Sequence, residues 1–213
     1  MRAGVLGTLS LFAVAGTMWA APEPAIVPRA WEVEFAFHDP QPIDIRLPGD
    51  SDATTFWYVL YTVTNTTGRE VPFYPSFEIV TDDLTVIEGG ANINPAVYDA
   101  VEARHRKAYP FFVRPAQMLG PLLVGEDNAR TSAMVFHVPD AAVNHFRLYV
   151  GGLSGEIEKV RNPRFDRRRG ESAGNSQFFT LRKTLAIYYD IPGDSMTRSS
   201  STPVRVRQEW VMR

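Results

Sequence analysis

The 213-residue chain contains no cysteine, so disulfides, a thiol nucleophile, a lipid-bearing cysteine and cysteine-held metal are all excluded. With 22 Lys and Arg against 24 Asp and Glu, the formal charge is −2, a balance that gives no general pull toward nucleic acid or an anionic bilayer. A hydrophobic share of 45% and an aromatic share of 12% are ample for one core.

Residues 1–20 place Arg2 ahead of an apolar run at 5–15 and end on small residues at Ala20 and Ala21. This is the layout of a secretory signal peptide, and the run is too short to span a bilayer. The expected compartment is periplasmic or extracellular, with no membrane insertion after cleavage. Residues 21–30 read as a Pro-rich linker into a single domain at 31–213.

In WEVEFAFH (31–38) apolar residues alternate strictly with polar ones: Trp31, Val33, Phe35 and Phe37 share one face. Residues 55–80 organise the rest. Two aromatic, β-branched runs flank Thr66-Thr67-Gly68-Arg69-Glu70, the pattern of a hairpin. Trp57, Val59, Tyr61 and Val63 form its core face, and Phe56, Tyr58 and Leu60 make the opposite face apolar too. In the second arm Val71, Phe73, Phe77 and Ile79 point inward, while Pro72 and Pro75, lacking an N–H, predict irregular pairing.

Asn94-Pro95 is a helix start, and the spacing predicts a helix over about 95–109, ended by Pro110 and laid against Phe56, Tyr58 and Leu60. Residues 111–124 read as irregular. Residues 130–138 and 145–151 read as a hairpin whose register sets Asp127 opposite Glu156 and Arg130 opposite Leu153. The arginines at 161, 164, 167, 168 and 169 fall in an exposed polar loop at about 159–175. Strands follow at 177–190 and 204–212; in the last, Val204, Val206, Trp210 and Met212 are expected inward, and Arg205, Arg207 and Glu209 outward.

Short strands separated by turns, with one helix and no βαβ alternation, predict an all-β, immunoglobulin-like two-sheet antiparallel sandwich with one inserted helix. A closed barrel is the second choice. The segments YTVTNTTGREV, AMVFHVPD and FRLYVGG resemble the bacterial exported immunoglobulin-like domains of envelope proteins, over about residues 56–152. That resemblance implies a fold and a compartment only, because such domains serve many roles.

Gly152-Leu153-Ser154-Gly155-Glu156 fails the nucleophile-elbow pattern at its fifth position and has no helix after it. The histidines at 38, 105, 137 and 145 show no metal-ligand spacing, although His137 and His145 flank one turn. The expected hairpin register gathers Glu126, Asp127, Asn128, Ser154 and Glu156 at one end. These oxygens suit calcium, or else Arg130 balances them as an ion-pair network. Phe165 among the arginines is the only nucleic-acid-like feature, and acidic neighbours dilute it, so no nucleic-acid partner is expected. Asn65-Thr66-Thr67 fits a glycosylation sequon as well as turn chemistry.

No catalytic, cofactor or metal residue is assigned. The leading expectation is an exported envelope protein acting as a non-enzymatic binding or structural module, its partner an envelope protein or polymer. The alternatives are a domain binding calcium or a transition metal, and a hydrolase with a site assembled from scattered residues.

Overall fold

Period-two alternation dominates the chain, and the strands it generates stack as two antiparallel sheets. The structure is a computed structural model that describes residues 22–213; the signal segment 1–20 and its cleavage point lie outside the described residues. In chain order the strands are β1 (Glu34–Phe37), β2 (Gln41–Ile45), β3 (Thr54–Thr64), β4 (Val71–Phe73), β5 (Ser76–Thr81), β6 (Val86–Glu88), β7 (Gly120–Leu122), β8 (Arg130–His137), β9 (His145–Gly151), β10 (Ile157–Arg161), β11 (Phe178–Asp190) and β12 (Val204–Met212). Helices α1 (Pro95–His105) and α2 (Pro115–Met118) lie between β6 and β7.

In the smaller sheet β3 is central. It has β8 on one side, and on the other β1 beside its C-terminal half and β2 beside its N-terminal half. In the larger sheet the order is β12, β11, β9, β5, β6, with β10 paired to the N-terminal half of β11. Between the sheets lies the main core, including Trp57, Tyr61, Phe73, Phe77, Phe136, Leu148, Ile187 and Tyr189. A second core covers the outer side of the smaller sheet, where Phe56, Tyr58, Leu60 and Val135 meet Val97 and Val101 of α1. Strand β3 is thus buried on both faces, as its two apolar faces require, and α1 lies against the expected face, although it ends at His105 rather than continuing to 109. Asn94 caps α1 by accepting from the Ala96 N–H at 3.0 Å, with Pro95 in the first turn.

Two expected hairpins are crossovers between the sheets instead. Residues 55–80 form an arch: β3 stays in the smaller sheet, β4 pairs with β7, and β5 joins the larger sheet beside β9. Pro72 and Pro75 break the ladder that a hairpin would need. The inward set of Val71, Phe73, Phe77 and Ile79 survives because the arch keeps the same parity toward the core. Likewise β8 pairs with β3 while β9 pairs with β5 and β11, so residues 130–138 and 145–151 lie in opposite sheets. In β12 the pairing to β11 shifts between Tyr188 and Tyr189, which makes Val206 an extra residue. Parity then reverses: Val204 and Val206 are exposed, and Arg205 turns inward over the Phe37 ring. Residues 111–124 contain α2 and β7.

Candidate functional site

The six residues expected to converge at the sandwich end do not share the register that was to unite them, because β8 and β9 pair with other strands and not with each other. Glu126, Asp127 and Asn128 make a single 3-10 turn, where Asn128 Nδ2 donates to the Val124 carbonyl at 2.7 Å. Arg130 opens β8 and donates to the Pro121 carbonyl at 3.1 Å. Ser154 and Glu156 are buried in the connection from β9 to β10, where the Ser154 hydroxyl accepts from the Glu156 N–H at 3.1 Å. The cation facing Glu156 is Lys183 at 3.6 Å, rather than Arg130. Among the described residues, no group of three or more His, Asp or Glu side chains is arranged to hold a metal.

His137 and His145 sit in different sheets; His137 packs on Phe56, and His145 Nδ1 lies 2.7 Å from Asp190 Oδ1. The Asn65 side chain is buried and fully engaged, donating to the carbonyls of Arg69 at 2.8 Å and Leu122 at 2.7 Å, so the folded chain uses it as a strut. The arginine loop closes between β10 and β11 around buried Asn175, whose Nδ2 donates to the carbonyls of Asp166 at 2.8 Å and Gly170 at 2.6 Å.

The most structured polar surface is the outer face of the larger sheet. Register alignment of β9, β11 and β12 places Arg147, Tyr188 and Arg207 side by side in one row. The next row carries Glu78, Tyr149, Ala186 and Glu209, and the third Ser76, Gly151, Thr184 and Val211. Tyr188 is wedged among basic groups, with the Arg207 guanidinium carbon 3.6 Å and that of Arg147 5.2 Å from its ring centre. Its hydroxyl donates to Glu209 at 2.6 Å, and Arg207 pairs with the same carboxylate at 2.6 Å. Arg213 repeats the arrangement over Tyr149 at 4.2 Å while pairing with Glu78 at 2.6 Å. Stacking on a ring fixes a guanidinium plane, so less conformational entropy remains to be lost when it binds an oxyanion.

Ionisation follows the geometry. Desolvation, then the bond to Glu209, raises the Tyr188 phenol above its ordinary value; the Tyr188 and Arg207 hydrogen bonds hold Glu209 below the usual carboxylate range. Two hollows open on this face. One, of about 280 Å³, lies around His145, Arg147, Tyr188 and Arg207; the other, of about 630 Å³, around Ser76, Tyr149, Arg182 and Arg213. Gly151 keeps the floor of the second bare, since a Cβ there would come within 2.5 Å of Ser76 Oγ. Asp82 and Asp190 also line the first hollow and Glu88 lies beside Glu78, but Arg147 and Arg182 have no carboxylate within ion-pair distance among the described residues, unlike Arg207 and Arg213.

Sequence reasoning missed Arg147, Tyr149, Arg182, Tyr188 and Arg207. Their only signal is Arg147-x-Tyr149 and Arg182 with Tyr188 on matching strand parity. Comparison with protein-family models, curated proteins and solved structures finds no match for this chain.

Proposed function

We propose that the chain is an exported, non-catalytic binding module of the bacterial cell envelope, immunoglobulin-like in kind, that takes its ligand on the open face of the larger sheet. One observation carries this reading: α1 covers the outer side of the smaller sheet, whereas the Arg147–Tyr188–Arg207 row on the larger sheet is uncovered. Guanidinium groups are donor-only and stay charged at all ordinary pH, so such a row holds an anionic ligand without exchanging protons with it. That chemistry favours recognition over turnover.

The test is retention of the purified protein on native envelope fractions. Wild type is retained, Arg147→Glu and Arg207→Glu are released, and Arg106→Ala on the exposed end of α1 behaves as wild type. Equal retention of all four proteins contradicts the proposal.

A further inference from the structure

Strand parity extends the open face beyond the body of the sandwich. On β11 the outward residues continue from Tyr188, Ala186 and Thr184 to Arg182, Thr180 and Phe178. Opposite the last three, β10 places Ile157, Lys159 and Arg161 on the same side. The strip from Tyr188 to Phe178 is roughly 33 Å long at about 3.3 Å per residue. Basic groups recur along it: Arg147 and Arg207 first, Arg213 and Arg182 next, then Lys159 and Arg161. Arg147, Arg182, Lys159 and Arg161 are spread unevenly along this length, with Glu209 and Glu78 engaged by Arg207 and Arg213 between them, and such a spread matches an extended polyanion rather than a compact ligand.

Resting on the proposal that this face is the binding surface, we infer that its ligand is an acidic polysaccharide, a glycan chain bearing carboxylates in the manner of a uronic acid polymer. Three features separate this from other polyanions. The Ser76 and Thr180 hydroxyls lie on the same face as the arginines, offering hydrogen bonds to sugar hydroxyls beside charge-assisted bonds to carboxylates. The Tyr188 and Tyr149 rings, at 3.6 Å and 4.2 Å from guanidinium carbons, are already stacked, which leaves Phe178 at one end as a single exposed ring rather than the series of platforms a nucleic acid strand uses. A folded protein partner would need a cluster of apolar anchors at the centre of the patch; here Thr184 and Ala186 are buried beneath their neighbours, and the exposed apolar residues Ile157 and Phe178 lie toward one end.

Binding of the full-length purified chain to polygalacturonate, neutral dextran, dextran sulfate, polyglutamate and single-stranded DNA, at about 0.15 M salt, decides the matter. The expected result is binding to polygalacturonate in preference to the others, weakened roughly tenfold or more in the Arg147→Ala/Arg182→Ala double variant. Arg106→Ala should bind as wild type does, and both variants should melt as wild type. Stronger binding to dextran sulfate would replace carboxylate by sulfate as the recognised group and overturn the uronic acid assignment. Equal or better binding of polyglutamate or DNA overturns the glycan. If no polymer binds but Arg147-dependent retention on envelope fractions persists, the glycan inference falls and the binding-face reading stands; if that retention is absent too, both fall.

Discussion

Lys183 Nζ lies 2.9 Å from Glu32 Oε2, and the lysine residue is 2% exposed. The same group sits 3.6 Å from Glu156 Oε2, donates to the Ala25 carbonyl at 3.3 Å and lies 5.0 Å from the centre of the Trp210 ring. Glu156 Oε1 in turn accepts from the Ala25 N–H at 2.9 Å, so one buried ion cluster joins β11, the β9–β10 connection and Ala25 and Glu32 of the segment before β1. Neither Glu32 Oε2 nor Glu156 Oε2 has a well-aligned hydrogen bond, so the cluster is held by charge.

Lys183→Met should therefore destabilise by about 3 kcal/mol, since it strands two carboxylates in a poorly hydrated site. Adding Glu32→Gln and Glu156→Gln should recover part of the loss. Denaturant melts of the single and triple variants check this; an unaffected single variant would contradict the buried cluster.

Asn65→Ala should cost about 2 kcal/mol, because it removes the amide that ties the arch to β7 and leaves the Arg69 and Leu122 carbonyls without their donor. Asn65→Asp should cost as much, since it keeps the acceptor and loses both donated bonds. Thermal melts separate these variants from a turn substitution such as Thr66→Ala, which should be nearly neutral.

Trp57→Ala should cost about 3 to 5 kcal/mol. Its ring is fully buried against Phe146 at 5.5 Å, and its Nε1 donates to the Ser199 carbonyl at 3.0 Å. Phe56→Ala, on the thinner helix side, should cost less. Equal losses in urea melts would mean that the two faces of β3 contribute alike.

His105 closes a polar network on the helix side, its Nε2 2.8 Å from the Tyr58 hydroxyl. Burial lowers its pKa below 6.5, and Arg104 and His38 push the same way. The unfolded chain then binds the proton at higher pH than the folded one does. Stability is full above the ordinary histidine range and declines as pH falls through it. Melting temperature should rise from about pH 5 to about pH 7, and the rise should shrink in His105→Gln. An NMR titration of the His105 ring should show its inflection below that of a model histidine.

Local structure was legible where it depends on neighbours in sequence. Alternation gave both faces of β3 and the inward set of β5, and Asn94-Pro95 gave the start of α1. Pairing was not, because a short turn serves a hairpin and an inter-sheet arch equally well. After Asn65 and after Val138 the chain crosses the sandwich, and the choice rests on distant partners such as Leu122 and Val150. One extra residue at Val206 reversed a parity that the pattern Val204, Val206, Trp210 had suggested. Lys183 could be read as an outward charge within an apolar strand, yet it belongs to the inner face. The open face was hidden for a related reason: Arg147, Tyr188 and Arg207 come from three strands, and each alone is an ordinary solvated residue.

The most direct test of the open face as the binding surface is oxidative footprinting of the protein with and without a native envelope fraction. Tyr149, Tyr188 and Phe178 should lose reactivity on binding, while Phe111, 86% exposed beyond α1, should keep it. Protection of Phe111 with unchanged reactivity of Tyr149 and Tyr188 would contradict the account and move the binding surface to the helix side.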